Sequence, residues 1–530
     1  MKLKLKGIEI PPVHTSKMGT ESISYISPGW FKYHGQKYIQ FLYNMPGASK
    51  SAGGWKIPSS VVPVLESMGV TDIEYPRPDN RPYLVDPGVE LFPRQVQARD
   101  KFEKFGRFGL AWEMGLGKTI GALCTIKAYD RVIIVIPSKL IGRWQEDIKK
   151  VLPGMKGIAF SSHANMIAEP EKGEIQIVTY SMLEKFVGTG IHEGRYDFVI
   201  ADEIHNVKNY QGAQTKAYQK LLSGLERPKI LALTATPAPD DIEDWYGVLQ
   251  AVNPWAFGKY EKYRERYLLS RLEIYGDREV WKVSGLSPLM LEEFKIRIAA
   301  TFDRQVVKDH EAEMPPLDIT EVPVQNPDPH FLTPGPGVWA EYASKCLDCK
   351  LPVITEGLRA NVAAGQPTCV AVLLHESYDK LHTLLSKEFG DLVVGVTGAE
   401  VEKKRSKTIA DAKRRVKKGE PVILLVTAKA VLEGLELTEW QRIDLCQFSY
   451  YPMEVVQFLG RFRRVSRKDG EVKVRFIYEE GSFEESVILA VQQKLVGVDT
   501  VMQSTSMESK LTQSNLDADI SGMFADDEDE

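Results

Sequence analysis

The sequence predicts an α/β protein made of two parallel-sheet lobes, with a small β-rich unit before them and an acidic tail behind them. Three observations carry this reading. From residue 91 onward, short apolar runs alternate with helix-length amphipathic segments, the pattern of βαβ units. That alternation stops and restarts across a proline-rich stretch, so it builds two sheets. The 530 residues also exceed what one ordinary core holds.

The first unit covers residues 1–88. "YISPGWFKYHGQKYIQFL" has aromatic-rich strand character, "NMPGASKSAGGWKIP" reads as a turn followed by an anchored Trp55, and "SSVVPVLESMGV" as a short helix. "EYPRPDNRPYLVDPG" (74–88) is too proline-rich for regular structure and reads as a linker. The first lobe, 89–315, has strands at "FGLAW", "RVIIVIP", "IQIVTY", "DFVIADE" and "KILALTATP", then a helical, aromatic region over 240–312. The proline-rich segment 313–337 joins it to a second lobe, 338–505, with strands at "TCVAVLLH", "LVVGVTG", "PVILLVTA", "RIDLCQF" and "VKVRFIY". Residues 506–530 end in "ADDEDE" and have too little apolar content to fold.

Composition sets the broad class. An apolar fraction of 43% and a charged fraction of 26% are those of a soluble globular protein. The net charge is −5, so any basic surface for a polyanion must be local. One local candidate is "EKKRSKTIADAKRRVKKGE" (402–420), with nine Lys/Arg against three acids. The five scattered cysteines suit a reducing compartment better than a disulfide framework. Cys346 and Cys349 form a CxxC, but zinc needs four ligands, and Cys369 and His375 are the nearby candidates at unsuitable spacing. The start "MKLKLKGIEIPP" lacks the apolar stretch of a signal peptide. The expected location is the cytoplasm, the nucleus if the source is eukaryotic, or the host cytoplasm if it is viral.

The chemistry begins at "GLAWEMGLGKTIGAL". A strand enters the glycine-bearing turn "EMGLGKT", and a helix-compatible segment follows. This context suits a phosphate loop: backbone N–H groups of Met114, Gly115, Leu116 and Gly117 cradle phosphates, Lys118 adds positive charge, and Thr119 can hold Mg²⁺. Trp112 stands where such loops usually carry a glycine. "DFVIADEIHNVKN" is a buried strand ending in Asp202-Glu203, two carboxylates at the carboxyl end of a parallel sheet. One can hold Mg²⁺ while its neighbour orients and deprotonates an attacking water. "LALTATP" is a third apolar strand, ending in the hydroxyls Thr234 and Thr236.

Taken together these segments resemble the Swi/Snf-like ATPases of helicase superfamily two, whose motifs occur in order over roughly 400 residues and imply two RecA-like lobes. "LFPRQ" resembles the adenine-reading segment, with Gln95 as its ligand. "EMGLGKT" matches the first motif; the family usually has aspartate where Trp112 stands. "VIPSKLIGRWQEDI", with Trp144, is similar to the DNA-contacting motif Ia, and "IVTYSML" to motif Ib. "DEIHNVKN" is the most specific match. In the second lobe, "VQFLGRFRR" carries Gln457, Gly460, Arg461 and Arg464 in the spacing of motif VI. "VTAKAVLEGLELT" is a weaker motif V: Val431-Leu432 and Glu436 depart from it, while Gly434 and Thr438 remain. The N-terminal unit has a looser likeness to the HepA-related domain of annealing helicases.

The resemblance implies an ATP-driven DNA motor with a two-lobe site. Catalysis would rest on Lys118, Asp202, Glu203, Arg461 and Arg464. ATP would be bound by Gln95, Met114–Thr119 and Gln457, Mg²⁺ by Thr119 and Asp202, and DNA, duplex or forked, by Ser138, Arg143, Thr179, Lys208 and Thr438. The tail offers a surface for a basic protein partner. Two alternatives are an RNA helicase of the same superfamily, against which Lys208-Asn209 speaks, and a DNA-binding scaffold with a degenerate motor, suggested by Trp112 and motif V.

Overall fold

The computed structural model describes residues 21–160, 174–235, 244–275, 278–306, 309–310, 313–326, 339–398, 402–432, 437–449, 452–463, 470–482, 484–485 and 487–488. The expectations on the first 20 residues, Thr236, Gly434, Glu436, Arg464 and the acidic tail lie outside these. The chain divides into two compact units that part after Gln305.

The first unit opens with five strands: β1 (Ser22–Ser27), β2 (Trp30–His34), β3 (Ser49–Ser51), β4 (Gly54–Pro58) and β5 (Asp72–Ile73), in the order β3-β4-β2-β1-β5. Strand alternation sends Ile23, Phe31, Tyr33, Trp55 and Ile57 to one face, where they pack on the short helix Val62–Ser67. The stretch 74–88 is irregular, as its prolines dictate, but it is anchored: Arg81 pairs with Asp79 and Asp130, and Leu84 N–H donates to Ile126 O at 2.9 Å.

A seven-stranded, wholly parallel sheet follows. It comprises β6 (Arg107–Trp112), β7 (Val132–Ile136), β8 (Lys156–Ala159), β9 (Glu174–Thr179), β10 (Phe198–Ala201) and β11 (Lys229–Thr234), with a seventh strand from further along the chain. β7 and β10 are buried along their whole length, as a sheet covered on both faces requires.

The region 240–312 corrects the sequence reading. Helices Asp244–Val252, Tyr260–Tyr267 and Leu291–Thr301 are present, but between them β12 (Leu268–Tyr275) and β13 (Arg278–Leu286) form an antiparallel hairpin. Gly276-Asp277, between the two strands in sequence, has hairpin-turn composition, and the antiparallel ladder between the strands replaces the helix expected from composition. The region ends in β14 (Phe302–Gln305), which joins the sheet edge beside β6, giving the order β14-β6-β11-β10-β7-β9-β8.

The second unit holds a six-stranded parallel sheet: β15 (Leu317–Val324), β16 (Thr368–Val372), β17 (Val393–Val396), β18 (Ile423–Thr427), β19 (Arg442–Leu445) and β20 (Val472–Glu479), ordered β15-β20-β19-β16-β18-β17. β15 lies within the stretch read as a connection. It carries Pro323, which an edge strand tolerates because the missing N–H leaves no central ladder bond unmade. In the helix Trp339–Ala363, the Cys346 thiol lies 2.7 Å from the Glu479 carboxylate and the Cys349 thiol donates to Cys346 O, so both belong to local packing.

The N-terminal sheet is fastened to the lobe that follows it. Gly29, at φ +76°, turns the β1–β2 hairpin; its N–H donates to Phe105 O at 2.7 Å and its carbonyl accepts from Asn253 Nδ2 at 3.0 Å. Arg297 is fully buried. Its guanidinium donates to Tyr267 Oη (2.7 Å), Ser60 Oγ (3.2 Å) and Ala256 O, and stacks on Phe257. Glu293 accepts from Tyr267 Oη at 2.6 Å and pairs with Arg266. A buried cation with each of these acceptors satisfied is tolerable; removing either side leaves polar groups stranded. Arg297→Ala should therefore destabilise this unit by about 3 kcal/mol, the scale of lost hydrogen bonds to a charged group. Denaturant unfolding followed by tryptophan fluorescence checks this, and a loss under about 0.5 kcal/mol contradicts it.

Candidate functional site

The glycine turn takes the conformation its composition allows. Gly115 (φ +86°) and Gly117 (φ +82°) are left-handed, where a Cβ is penalised. A Cβ at Gly117 would also stand 2.9 Å from Gln95 Nε2. Met114, Gly115 and Leu116 form the crest, and Gly117 starts the helix Lys118–Leu123, with Thr119 its second residue. Lys118 Nζ donates to the carbonyls of Trp112 (2.7 Å) and Glu113 (3.2 Å), so its ammonium is folded back over its own loop. Gln95, in the helix Pro93–Phe105, is buried; it donates to Gly117 O at 3.1 Å and accepts from Phe92 N–H at 2.8 Å.

Trp112 is a core residue. It is fully buried, its ring lies against Gly121, and its indole N–H donates to Asp303 Oδ2 at 2.7 Å. Asp303, on β14, also pairs with Lys101 and accepts from Gln305 Nε2. The position that lacks the usual glycine thus ties the loop's root to the edge strand.

At the end of β10, Asp202 is 7% exposed. Its Oδ2 accepts the indole N–H of Trp144 at 2.9 Å, and its Oδ1 accepts the backbone N–H of Glu203, also at 2.9 Å. The second bond goes with an unusual backbone: Glu203 sits at φ +50°, a left-handed conformation that is rare without a functional or steric demand. Burial, and then the charge of Glu203, push the Asp202 carboxyl up to about 6; the Trp144 N–H, the charge of Lys118 and the Glu203 N–H act the other way. Nδ1 of His205 lies 3.4 Å from Glu203 Oε2 and 3.3 Å from Thr234 Oγ1, so this ring connects the acid pair to the end of β11. Burial lowers the His205 pKa, which favours the neutral ring.

Two features escaped the sequence. Trp144 belongs to the segment read as DNA-contacting, yet it is 1% exposed and turned inward onto Asp202, so its side chain is closed to an outside partner. Arg304, on β14, donates to Ala111 O (2.8 Å), Ala235 O (3.3 Å) and Glu113 Oε1 (2.9 Å). One guanidinium therefore joins β6, the glycine turn and the segment after Thr234. Its strand, "FDRQ", is four residues long with three of them polar, which left periodicity almost nothing to register.

Of the other candidates in the first unit, Ser138 is exposed at the start of a 3₁₀ turn, Arg143 pairs with Asp147 one helical turn on, and Lys208 follows the 3₁₀ turn Ile204–Val207. Thr179 is buried and its hydroxyl caps the helix Tyr180–Gly188, accepting Met182 N–H at 3.3 Å. In the second unit, Gln457 lies on the helix Pro452–Leu459. Arg461 follows in a turn, 8% exposed, its carbonyl accepting Leu437 N–H at 3.0 Å beside Thr438. Arg463 donates to Pro315 O. The two acids, Lys118 and Thr234 thus share one pole of the first sheet, and Gln457, Arg461 and Thr438 belong to the other unit.

Part of this chain is similar to known proteins. Residues 108–318 match the model of the SNF2-related domain. The mouse DNA annealing helicase and endonuclease ZRANB3 is 21% identical over 421 residues, 73% of this chain and 38% of that protein. The Xenopus tropicalis SWI/SNF-related matrix-associated actin-dependent regulator of chromatin subfamily A-like protein 1 is 31% identical over 188 residues, 35% of this chain and 19% of that protein. The chain thus spans less than two fifths of these curated relatives. Among solved structures, the Sulfolobus solfataricus SWI2/SNF2 ATPase core in complex with dsDNA covers 78% of this chain and 93% of its own at 17% identity, with a TM-score of 0.38, too low to carry weight.

The Asp202 geometry makes a pH prediction. Trp144→Phe keeps an aromatic side chain, smaller than the indole, and removes the N–H that favours the ionised carboxylate, so the Asp202 pKa should rise further. Nucleotide turnover that needs this carboxylate ionised should then fail at a higher pH than in the wild type, with recovery as pH rises. Paired pH–rate profiles read the shift; coincident acid limbs would show that the indole does not govern this group.

Proposed function

We propose that this chain, which carries the SNF2-related domain of the Swi/Snf-like ATPases in helicase superfamily two, is an ATP-driven motor that moves on duplex or forked DNA and remodels or anneals it in replication, repair or recombination. The observation that carries this reading is the meeting of Lys118, Asp202 and Glu203 at the carboxyl pole of one parallel sheet, where such folds bind ligands.

In this reading the backbone of Met114–Gly117 and the Lys118 ammonium hold the phosphates, with Lys118 exchanging its loop carbonyls for them. Gln95 reads the adenine. Its amide already braces Gly117, so occupancy by adenine and the shape of the loop are linked. Thr119 and Asp202 fit Mg²⁺. Both offer hard oxygens, and Asp202 is a buried carboxylate whose charge is held at a cost that a cation would relieve. When bound, the ion supplies charge neutralisation along the phosphates. Glu203 orients water and accepts its proton, with His205 keeping its carboxylate in register with Thr234. Gln457, Arg461 and Arg464 complete the site from the second lobe, the arginines stabilising charge that grows during transfer.

DNA contact is assigned to Ser138, Arg143, Lys208 and Thr438, and to the backbone at Thr179, whose hydroxyl is engaged in capping. The N-terminal unit is assigned to substrate choice, and the acidic tail to a basic protein partner. The helix Glu402–Lys417 is basic in sequence, but Lys413 pairs with Glu439, Arg414 with Asp411 and Arg415 with Glu420, so part of its charge is already matched.

ATP turnover measured with single-stranded, duplex and forked DNA, and with RNA, tests this. DNA should stimulate hydrolysis. Arg464→Ala should lower turnover by on the order of 10³–10⁵ while nucleotide affinity changes far less. Lys118→Ala should weaken nucleotide binding as well, because it removes a ground-state contact. A near-wild-type rate for Arg464→Ala would overturn the two-lobe assignment, and stronger stimulation by RNA would overturn the DNA assignment.

A further inference from the structure

We propose that Arg304 is a positioning residue for ATP hydrolysis: its guanidinium fixes the glycine turn against the acid pair, so that the phosphate held by one meets the water oriented by the other. The inference rests on the motor reading and adds to it a residue of β14, a strand to which that reading gives no role.

The sheet register sets up the contact. Arg304 lies beside Ala111 on the ladder of β14 and β6, and Ala111 lies beside Thr234 on the ladder of β6 and β11. These three residues form one row near the carboxyl pole of the sheet. Arg304 reaches along that row from the edge strand. Its Nη1 donates to Ala111 O at 2.8 Å and to Ala235 O at 3.3 Å, and its Nη2 to Glu113 Oε1 at 2.9 Å. One side chain thus spans two strand spacings, about 10 Å.

Two routes leave the row, and they end on the two halves of the site. Glu113 begins the glycine turn, and its carbonyl, with that of Trp112, holds the Lys118 ammonium. Ala235 follows Thr234, whose Oγ1 lies 3.3 Å from His205 Nδ1, and that ring nitrogen lies 3.4 Å from Glu203 Oε2. Arg304 touches both routes at once.

These contacts separate placement from binding. In the motor reading Lys118 leaves the Trp112 and Glu113 carbonyls for a phosphate, and the Glu113 carboxylate on Arg304 keeps the start of the turn in place while it does. The turn has other supports that do not involve Arg304. The Trp112 indole is held on Asp303, and the Gln95 amide on Gly117 O. Nucleotide binding therefore survives a change at position 304, whereas the separation between the turn and Glu203 loses its brace. Arg304→Lys keeps the charge but replaces the planar fork by one nitrogen, which cannot serve all three acceptors in the same geometry.

The test is steady-state ATP hydrolysis by the full chain with saturating duplex DNA, alongside equilibrium binding of nucleotide. Arg304→Lys should lower kcat on the order of 10²-fold, the cost of a misplacement of about 1 Å, while KM and nucleotide affinity stay near wild type. Thr234→Val removes the hydroxyl on the route to Glu203 and supplies a second measurement. Arg304→Lys should cost clearly less kcat in the Thr234→Val background than in the wild type, because the route is already cut. Equal cost in both backgrounds, or an unchanged kcat for Arg304→Lys, overturns the proposal and leaves the motor reading standing. A raised KM with kcat unchanged overturns it too, since Arg304 would then only shape the turn for binding. If Arg304→Lys loses nucleotide binding altogether, Glu113→Gln decides, because it leaves both carbonyl bonds in place. A lowered kcat with binding kept upholds the proposal there, and an unchanged kcat or lost binding overturns it. If the wild type does not hydrolyse ATP with DNA present, the motor reading fails, and this inference with it.

Discussion

The first lobe is organised around one demand: an ionisable carboxylate must be kept at the end of a strand buried on both faces. Asp202 meets it through groups from three different segments. Trp144 reaches its carboxylate from the helix Ile141–Val151, Glu203 turns its N–H inward by taking a left-handed backbone, and Lys118 contributes charge from the helix that follows the glycine turn. Each is a donor or a cation, and that is what a carboxylate removed from water requires. Their sum does not offset the desolvation and the neighbouring Glu203 charge, so the carboxyl stays above the usual carboxylate range, and a cation beside it would be favoured.

A second organising element is β14, the last strand before the chain leaves the first unit. Its four residues reach the root of the glycine turn in four ways. Phe302 occupies the space that a Cβ on Gly109 would need, Asp303 takes the Trp112 N–H, Arg304 spans Ala111, Glu113 and Ala235, and the Gln305 carbonyl accepts Glu113 N–H at 3.0 Å. The N-terminal sheet is joined to the same unit just as firmly, since the buried Arg297 finds its acceptors on both sides of that junction. For this reason, removing residues 1–88 would test the lobe's integrity as well as substrate choice.

The ten strands named from the sequence all occur, because long apolar runs between turn signals leave few alternatives. The elements missed have a different character. β8 and β14 are four residues long and β14 is mostly polar, β15 carries a proline, and the hairpin β12–β13 is rich in charges and aromatics that also suit a helix. In each case a neighbouring strand supplied the hydrogen-bond ladder that made the segment a strand, and local composition cannot show that neighbour.

By itself the sequence determined the two parallel sheets, the glycine turn before Lys118 and the acid pair at the end of β10, since these rest on local patterns: strand periodicity, glycine where φ is positive, polar residues where an apolar strand ends. Tertiary structure alone decided what the tryptophans do. Trp112 looked like a defect in a phosphate loop and Trp144 like a DNA contact, yet each is buried with its N–H on a carboxylate 191 or 58 residues away in the chain. The same holds for Arg304, whose acceptors lie on β6, the glycine turn and the segment after Thr234. A buried donor's partner is fixed by which segments the fold brings within about 3 Å, and no property of the donor's own neighbourhood in sequence encodes that distance.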